Sequence, residues 1–204
     1  MQIKETKLSF KSGMKQRNKT NRFIIHHTAS QDVPASTIHQ WHLNQGWSGI
    51  GYHFVIRPDG TIERGRPEWA IGSHSGPNGN GDSIGIVLTG NFEYDKPTEA
   101  QLDSLVWLIT QYLEPKYGKL RVMGHKDVMA TACPGRNFPW AELRARLEDD
   151  DEMAVETKIK VNGQVLTGYI LKDNLSYAPV RALAEALGYK VAWDEKTKTV
   201  IITK

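Results

Sequence analysis

The chain has 204 residues, 39% hydrophobic and 24% charged, a balance that suits one medium domain with a smaller one attached. No apolar run approaches the length that crosses a bilayer, and the basic start MQIKETKLSFKSGMKQRNKT lacks the apolar core of a secretory signal. The net charge of +3 is uneven: residues 1–30 carry seven Lys/Arg against one Glu, whereas 148–156 hold six acids and no base. The basic arm has no interleaved aromatic residues and no recognition motif, so it reads as a solvated, partly disordered tail, and a nucleic-acid partner is not expected.

RFIIHH (22–27) reads as a buried strand. A helix is expected around 35–45, with Ile38, Trp41 and His42 on one face. YHFVIR (52–57), the turn Pro58-Asp59-Gly60 and TIERG (61–65) form a hairpin. GSHSGPNGNGD (72–82) has four glycines and no core-forming side chain, and is expected to be a surface loop bordering a cleft. IGIVLTG (84–90) and LRVMGH (120–125) are further short strands. Between them Thr98 and Gln101 make a capping box, followed by Leu102, Leu105, Val106, Ile109 and Leu113 at helical spacing. A last helix around 140–147 would bury Trp140, Leu143 and Leu147. Strands interleaved with helices indicate an α/β domain with a mixed central β-sheet flanked by helices.

The acidic stretch 148–156 reads as a linker, because like charges so dense resist burial. It separates a first domain, 1–147 with its core from about residue 20, from a tail at 157–204. The tail reads as strand, strand, helix and a strand pair around the Trp193-Asp194-Glu195 turn, a small α+β unit. Val180, Leu183, Ala184 and Leu187 form the apolar face of its helix, and Gly188 caps it. So short a unit buries a thin core, which docking or self-association would strengthen.

The one cysteine, Cys133, excludes an intramolecular disulfide; of the seven histidines, those at 26, 27 and 125 matter with it. His26 or His27, His125 and Cys133 would supply two imidazoles and a thiolate, leaving one tetrahedral position open for water. That is the donor set of a catalytic zinc site; a structural cluster or a buried thiol are the alternatives. His125 ends a strand and Cys133 follows eight residues later in a loop stopped by Pro134-Gly135, so the two can converge. Strand alternation sends His26 and His27 to opposite faces, so only one of them can bind.

FIIHHTAS, QWHLNQGWSGIGYHFVIRPDGTIERGRP, GSHS, SIGIVLTGNF and GHKDVMATACPG follow one another over residues 22–136. In these blocks the chain resembles the type 2 N-acetylmuramoyl-L-alanine amidases, which include the phage lysozyme-type amidases and the peptidoglycan recognition proteins. The resemblance implies Zn2+ held by His26, His125 and Cys133, and hydrolysis of the amide between N-acetylmuramic acid and L-alanine in peptidoglycan. It implies that Tyr52 is catalytic, donating a hydrogen bond to the oxyanion or orienting water. Thr131 stands where some phage members carry a lysine and others a threonine, and Val87 where another branch carries a glutamate. Tyr52 and Thr131 would then share the proton work with activated water, and the general base stays open. His74, Trp41, His42, Trp47 and Arg66 are the candidates for substrate contacts. For Trp41 a place in the core, and for Arg66 a plain surface charge, are the competing readings.

The run VRALAEALGYKVAWDEKTKTVIITK is similar to the copper amine oxidase N-terminal-like, or stalk, repeat. Copper is not implied, because no His, Cys or Met follows Met153. With eight Lys/Arg over four acids, this tail would bind an anionic wall polymer or associate with itself. A catalytic domain, a linker and a wall-binding module suit a phage or prophage endolysin, made in the cytoplasm without a signal peptide and released to the wall through a holin lesion. A non-catalytic peptidoglycan-recognition module and a bacterial autolysin are the alternatives.

Overall fold

Apolar β-branched and aromatic runs become the strands of a computed structural model that describes the chain except residues 153–154, 163, 171–175, 178–179 and 195–198. The chain divides into two units, Met1–Ala145 and Arg146–Lys204. In the first, the elements run β1 (Ile3–Lys4), β2 (Arg22–His27), α1 (Ala35–Asn44), β3 (Phe54–Ile56), β4 (Ile62–Arg64), α2 (Gly76–Asn80), β5 (Ser83–Leu88) and α3 (Glu99–Trp107). A π-helical stretch (Leu108–Leu113), α4 (Glu114–Tyr117), β6 (Arg121–Gly124) and a 3₁₀ turn (His125–Asp127) follow, and α5 (Trp140–Glu152) begins in the first unit and ends in the second.

Six strands form one sheet in the order β1-β4-β3-β5-β2-β6. Only β3 and β4, the expected hairpin, pair antiparallel; β1 with β4, β3 with β5, and β2 with β5 and β6 are parallel. The mixed α/β sheet is therefore as expected. Its central strands are buried along nearly their whole length, as parallel strands covered on both faces must be: every residue of β5 and Phe23–His27 of β2 are buried. At α3 the capping box forms, with Gln101 N donating to Thr98 Oγ1 and Thr98 N to Gln101 Oε1, both at 3.1 Å. Gln101 Nε2 also donates to the carbonyls of Ile56 and Thr89, fastening the helix to the sheet.

Four expectations need correction. The N-terminal arm is not a solvated tail. β1 adds a strand to the sheet edge, and Leu8 and Phe10 pack on the core cluster of Ala35, Ile38, Ile50, Val55 and Val87. Arg17 is buried, with its guanidinium on the carbonyls of Ala70 and Ser83. The stretch 72–82 is not only a surface loop: it contains α2, and His74 and Ser75 are buried. On α1 the buried stripe is Ala35, Ile38, His39 and His42, and Trp41 points outward, 38% exposed. Finally, the acidic run does not begin as a linker, because α5 continues through Glu152; residues 153–154 lie outside the described residues.

The second unit carries β7 (Val155–Val161), β8 (Gln164–Ile170), β9 (Ser176–Tyr177), α6 (Val180–Ala186), β10 (Lys190–Asp194) and β11 (Thr199–Thr203). β7, β8 and β9 form an antiparallel sheet, and β10 pairs antiparallel with β11. The expected turn beyond Asp194 falls on residues 195–198, outside the described residues.

Candidate functional site

Sheet register brings the ligand candidates together. β2 and β6 run parallel with Ile25 opposite Gly124, so one further step along each strand sets His26 beside His125, ring centroids 4.7 Å apart. Beyond His125 the 3₁₀ turn is fixed by Gly124 N donating to Asp127 Oδ2 at 2.7 Å. Lys126 N then donates to the Cys133 carbonyl at 2.9 Å, which folds the loop back onto the strand end. Gly135, at φ +103°, lies against the backbone of Phe92 where a Cβ has no room, so the loop can seat only with glycine there. Cys133 Sγ ends 3.6 Å from His26 Nδ1, and the ligand atoms of His26, His125 and Cys133 all lie within 4.8 Å of one another. His125 Nε2 is buried without a hydrogen-bond partner. These three residues could hold a metal ion. His27 turns away as alternation requires; its Nδ1 accepts from Phe92 N at 3.0 Å.

Burial sets the protonation. It drives the His26 imidazole well below its usual value, with His125 and His27 adding to the effect, and it lowers His125 too. Both rings are therefore neutral, as metal ligands must be. Burial lifts the Cys133 thiol to about 11, against a smaller opposing contribution from the His27 backbone. A thiolate in this place needs a compensating positive charge.

An aromatic path leads from the cluster to the surface. The Tyr52 ring stands 5.0 Å from His26 and 5.6 Å from His42, and His42 packs 4.5 Å from Trp47. Burial, reinforced by Cys133, raises the Tyr52 phenol, so it remains an O–H donor at neutral pH. His42 is buried and accepts from Gly51 N at 3.0 Å, which locks the chain entering β3. Burial drops its imidazole to about 4, with the charge of Arg66 assisting. Trp41 and Trp47 are each 38% exposed and flank His42 in sequence.

Other candidates take different places. Arg66 is neither a surface charge nor a free clamp: it is 5% exposed, and its guanidinium donates to the Ile50 carbonyl and Ser48 Oγ, both at 2.9 Å. Its chemistry is spent on holding the loop ahead of β3. His74 is 7% exposed and sits behind His26, Nδ1 to Nε2 2.9 Å, instead of lining a groove. Thr131 is exposed and accepts from Cys133 N at 3.2 Å, shaping the ligand loop. Val87, opposite His26 in the register, is wholly buried and brings no carboxylate.

Sequence reasoning overlooked the layer behind the ligands. His53 Nδ1 accepts from Gly85 N at 2.9 Å, and its Nε2 lies 3.0 Å from the Ala70 carbonyl and 3.1 Å from Arg17. Ser83, Gly85 and Val87 share one face of β5, and the small residues at 83 and 85 make room for His74. Two small residues two apart in an otherwise apolar strand were the available signal.

Comparison with known proteins is consistent with this geometry. Residues 16–136 match the family described as N-acetylmuramoyl-L-alanine amidase, and residues 157–204 match the copper amine oxidase N-terminal domain. The chain is similar to the endolysin of Escherichia phage T7, 42% identical over 146 residues, 67% of this chain and 95% of that one. Among solved structures it is similar to the N-acetylmuramoyl-L-alanine amidase LysC from Clostridium intestinale URNW, with a TM-score of 0.69 and 40% identity, covering 72% of this chain and 98% of the other. It is also similar to wild-type Drosophila PGRP-LB, with a TM-score of 0.62 and 28% identity, covering 71% of this chain and 93% of that one.

Proposed function

This chain belongs to the N-acetylmuramoyl-L-alanine amidase family, and from that premise we propose that it is a zinc-dependent endolysin. It hydrolyses the amide between the lactyl group of N-acetylmuramic acid and the L-alanine of the stem peptide, as its similarity to phage endolysins supports. Its place of action is the cell wall.

The observation that carries the metal assignment is the His26–His125–Cys133 cluster, whose ligand atoms all lie within 4.8 Å of one another. Zn–S near 2.3 Å and Zn–N near 2.0–2.1 Å at a tetrahedral angle set the two donor atoms about 3.6 Å apart, and Cys133 Sγ lies 3.6 Å from His26 Nδ1. His26, His125 and Cys133 therefore fit zinc, which when bound supplies Lewis acidity and activates water at neutral pH. Tyr52, protonated and beside His26, donates its O–H to the oxygen that gains charge as the amide carbonyl becomes tetrahedral. Thr131 shapes the ligand loop by accepting from Cys133 N and is the second hydroxyl assigned to the proton work. Trp41 and Trp47 offer exposed faces for stem peptide or sugar beside His42. The complete ligand set favours catalysis over non-catalytic recognition. For the tail at 157–204, its eight Lys/Arg over four acids support attachment to an anionic wall polymer.

Digestion of purified cell wall with and without chelator tests the reading. New N-terminal alanine without new reducing ends, abolished by chelator and restored by zinc, is expected. New reducing ends would identify a glycosidase and overturn it.

A further inference from the structure

We propose that His74 is a positioning residue that fixes which nitrogen His26 presents to the metal, and that Ser83 sets the direction of the relay. The inference rests on the metal assignment above and adds residues to it.

His26 faces Cys133 through Nδ1, while its other nitrogen, Nε2, lies 2.9 Å from His74 Nδ1. A neutral imidazole has one N–H and one lone pair, so the two rings must agree on where the shared proton sits. Ser83 decides it. Ser83 Oγ donates to the Gly79 carbonyl in a short bond, which leaves only lone pairs toward His74 Nε2, 3.4 Å away. His74 therefore carries its proton on Nε2 and accepts at Nδ1 from His26 Nε2–H. His26 Nδ1 is left as a bare lone pair directed at the ligand cluster. The relay runs from a ligand atom to a backbone carbonyl, and each group in it donates once.

The seat of His74 is built for this purpose. A Cβ at Gly85 would stand 2.5 Å from His74 Cδ2, and one at Gly72 would stand 2.6 Å from His74 Nε2, so the ring fits only between two glycines. Asn80 Oδ1 accepts from the backbone N–H groups of His74 and Ser75, both at 2.8 Å, and holds the segment in place. At 7% exposure His74 has no face to offer a substrate. Outer partners that orient a ligand imidazole change metal affinity by about 10–100-fold when removed.

The experiment combines histidine ¹⁵N NMR of the metal-free protein with zinc affinity measured by chelator competition. In the wild type, His26 and His74 should both be protonated on Nε2. His74→Phe should weaken zinc binding about 10–100-fold, and His74→Asn should recover most of it, because the amide oxygen can accept where Nδ1 did. Ser83→Ala, which leaves both rings in place, should turn His74 into a mixture of tautomers and weaken zinc binding less. Wild-type His26 protonated on Nδ1, or zinc affinity unchanged in His74→Phe, would overturn the proposal. If His74→Phe fails to fold, the wild-type tautomers and Ser83→Ala decide. Wild-type protein that binds no zinc would instead overturn the metal assignment, while the tautomers of the metal-free protein still decide the relay.

Discussion

Tyr52 and Cys133 stand at one centre and do separable work. Cys133 Sγ is one of the three atoms that could hold a metal ion, whereas the Tyr52 ring stands 5.0 Å from that of His26. Cys133→Ser replaces a thiolate donor with a hydroxyl that zinc binds poorly, so bound metal and wall lysis should be lost together. Tyr52→Phe keeps the ring that packs on the core cluster and removes only the O–H. It should retain stoichiometric zinc by elemental analysis while kcat falls about 10²–10³-fold, the usual loss for one oxyanion donor. Loss of zinc from Tyr52→Phe would make the residue structural, not catalytic. Of the three, His125 and Cys133 were legible as local signals, a strand-end histidine and a loop cysteine, whereas alternation left His26 and His27 as alternatives and the family resemblance singled out His26. His74 and Arg66 were misread because their burial comes from distant segments, and nothing in a run of glycines and serines announces it.

The N-terminal arm behaves as an element of the catalytic unit although only two of its residues are a strand. Arg17 N and Lys15 O bond to Trp69 O and Ile71 N, Lys11 N bonds to Ser48 O, and His39 Nε2 lies 3.0 Å from the Ser9 carbonyl. Arg17→Met keeps the aliphatic stem but removes the buried guanidinium from Ala70 O, Ser83 O and Thr20 Oγ1. Charged hydrogen bonds of this kind contribute about 1.5–3 kcal/mol, so urea unfolding should shift by roughly that amount. Lys7→Ala, an exposed charge on the same arm, should stay within about 0.5 kcal/mol of wild type. Equal effects from the two would return the arm to the status of a solvated tail. Sequence patterning recovered the five longer strands and the capped helix α3, since period and capping are written locally. It missed β1 because a two-residue parallel pairing with β4 is decided sixty residues away, as Ile3 opposite Ile62 shows. It misplaced Trp41 because 38, 41 and 42 have helical spacing, yet the stripe that packs is 35, 38, 39 and 42, centred one residue round the helix.

At the scale of the molecule, burial holds His26, His27, His42, His53, His74 and His125 below the ordinary imidazole value, and this fixes how stability must respond to acid. Burial holds His42 at about 4 and His53 at about 3, against 6.5 for a free imidazole. Above pH 6.5 both are neutral in the folded and unfolded chain, and they add no pH dependence. Below 6.5 the unfolded chain takes up protons that the folded chain refuses, so stability falls as pH falls. Each such histidine contributes about 1.4 kcal/mol per pH unit, until the pH reaches its folded value. The loss from His42 is therefore complete near pH 4, and that from His53 near pH 3. Carboxylates act later: Asp32 and Asp82 are held below 3.8 and Glu68 below 4.5 by arginine, tyrosine and lysine partners, so their stabilisation disappears only under those values. Urea midpoints between pH 7.5 and 4.5 should thus decline in a window that belongs to histidine alone. His42→Asn, whose amide oxygen can still accept from Gly51 N, should reduce the slope by about 1.4 kcal/mol per unit. A decline that began only below pH 4.5, or a slope indifferent to His42→Asn, would place the acid sensitivity in the carboxylates instead.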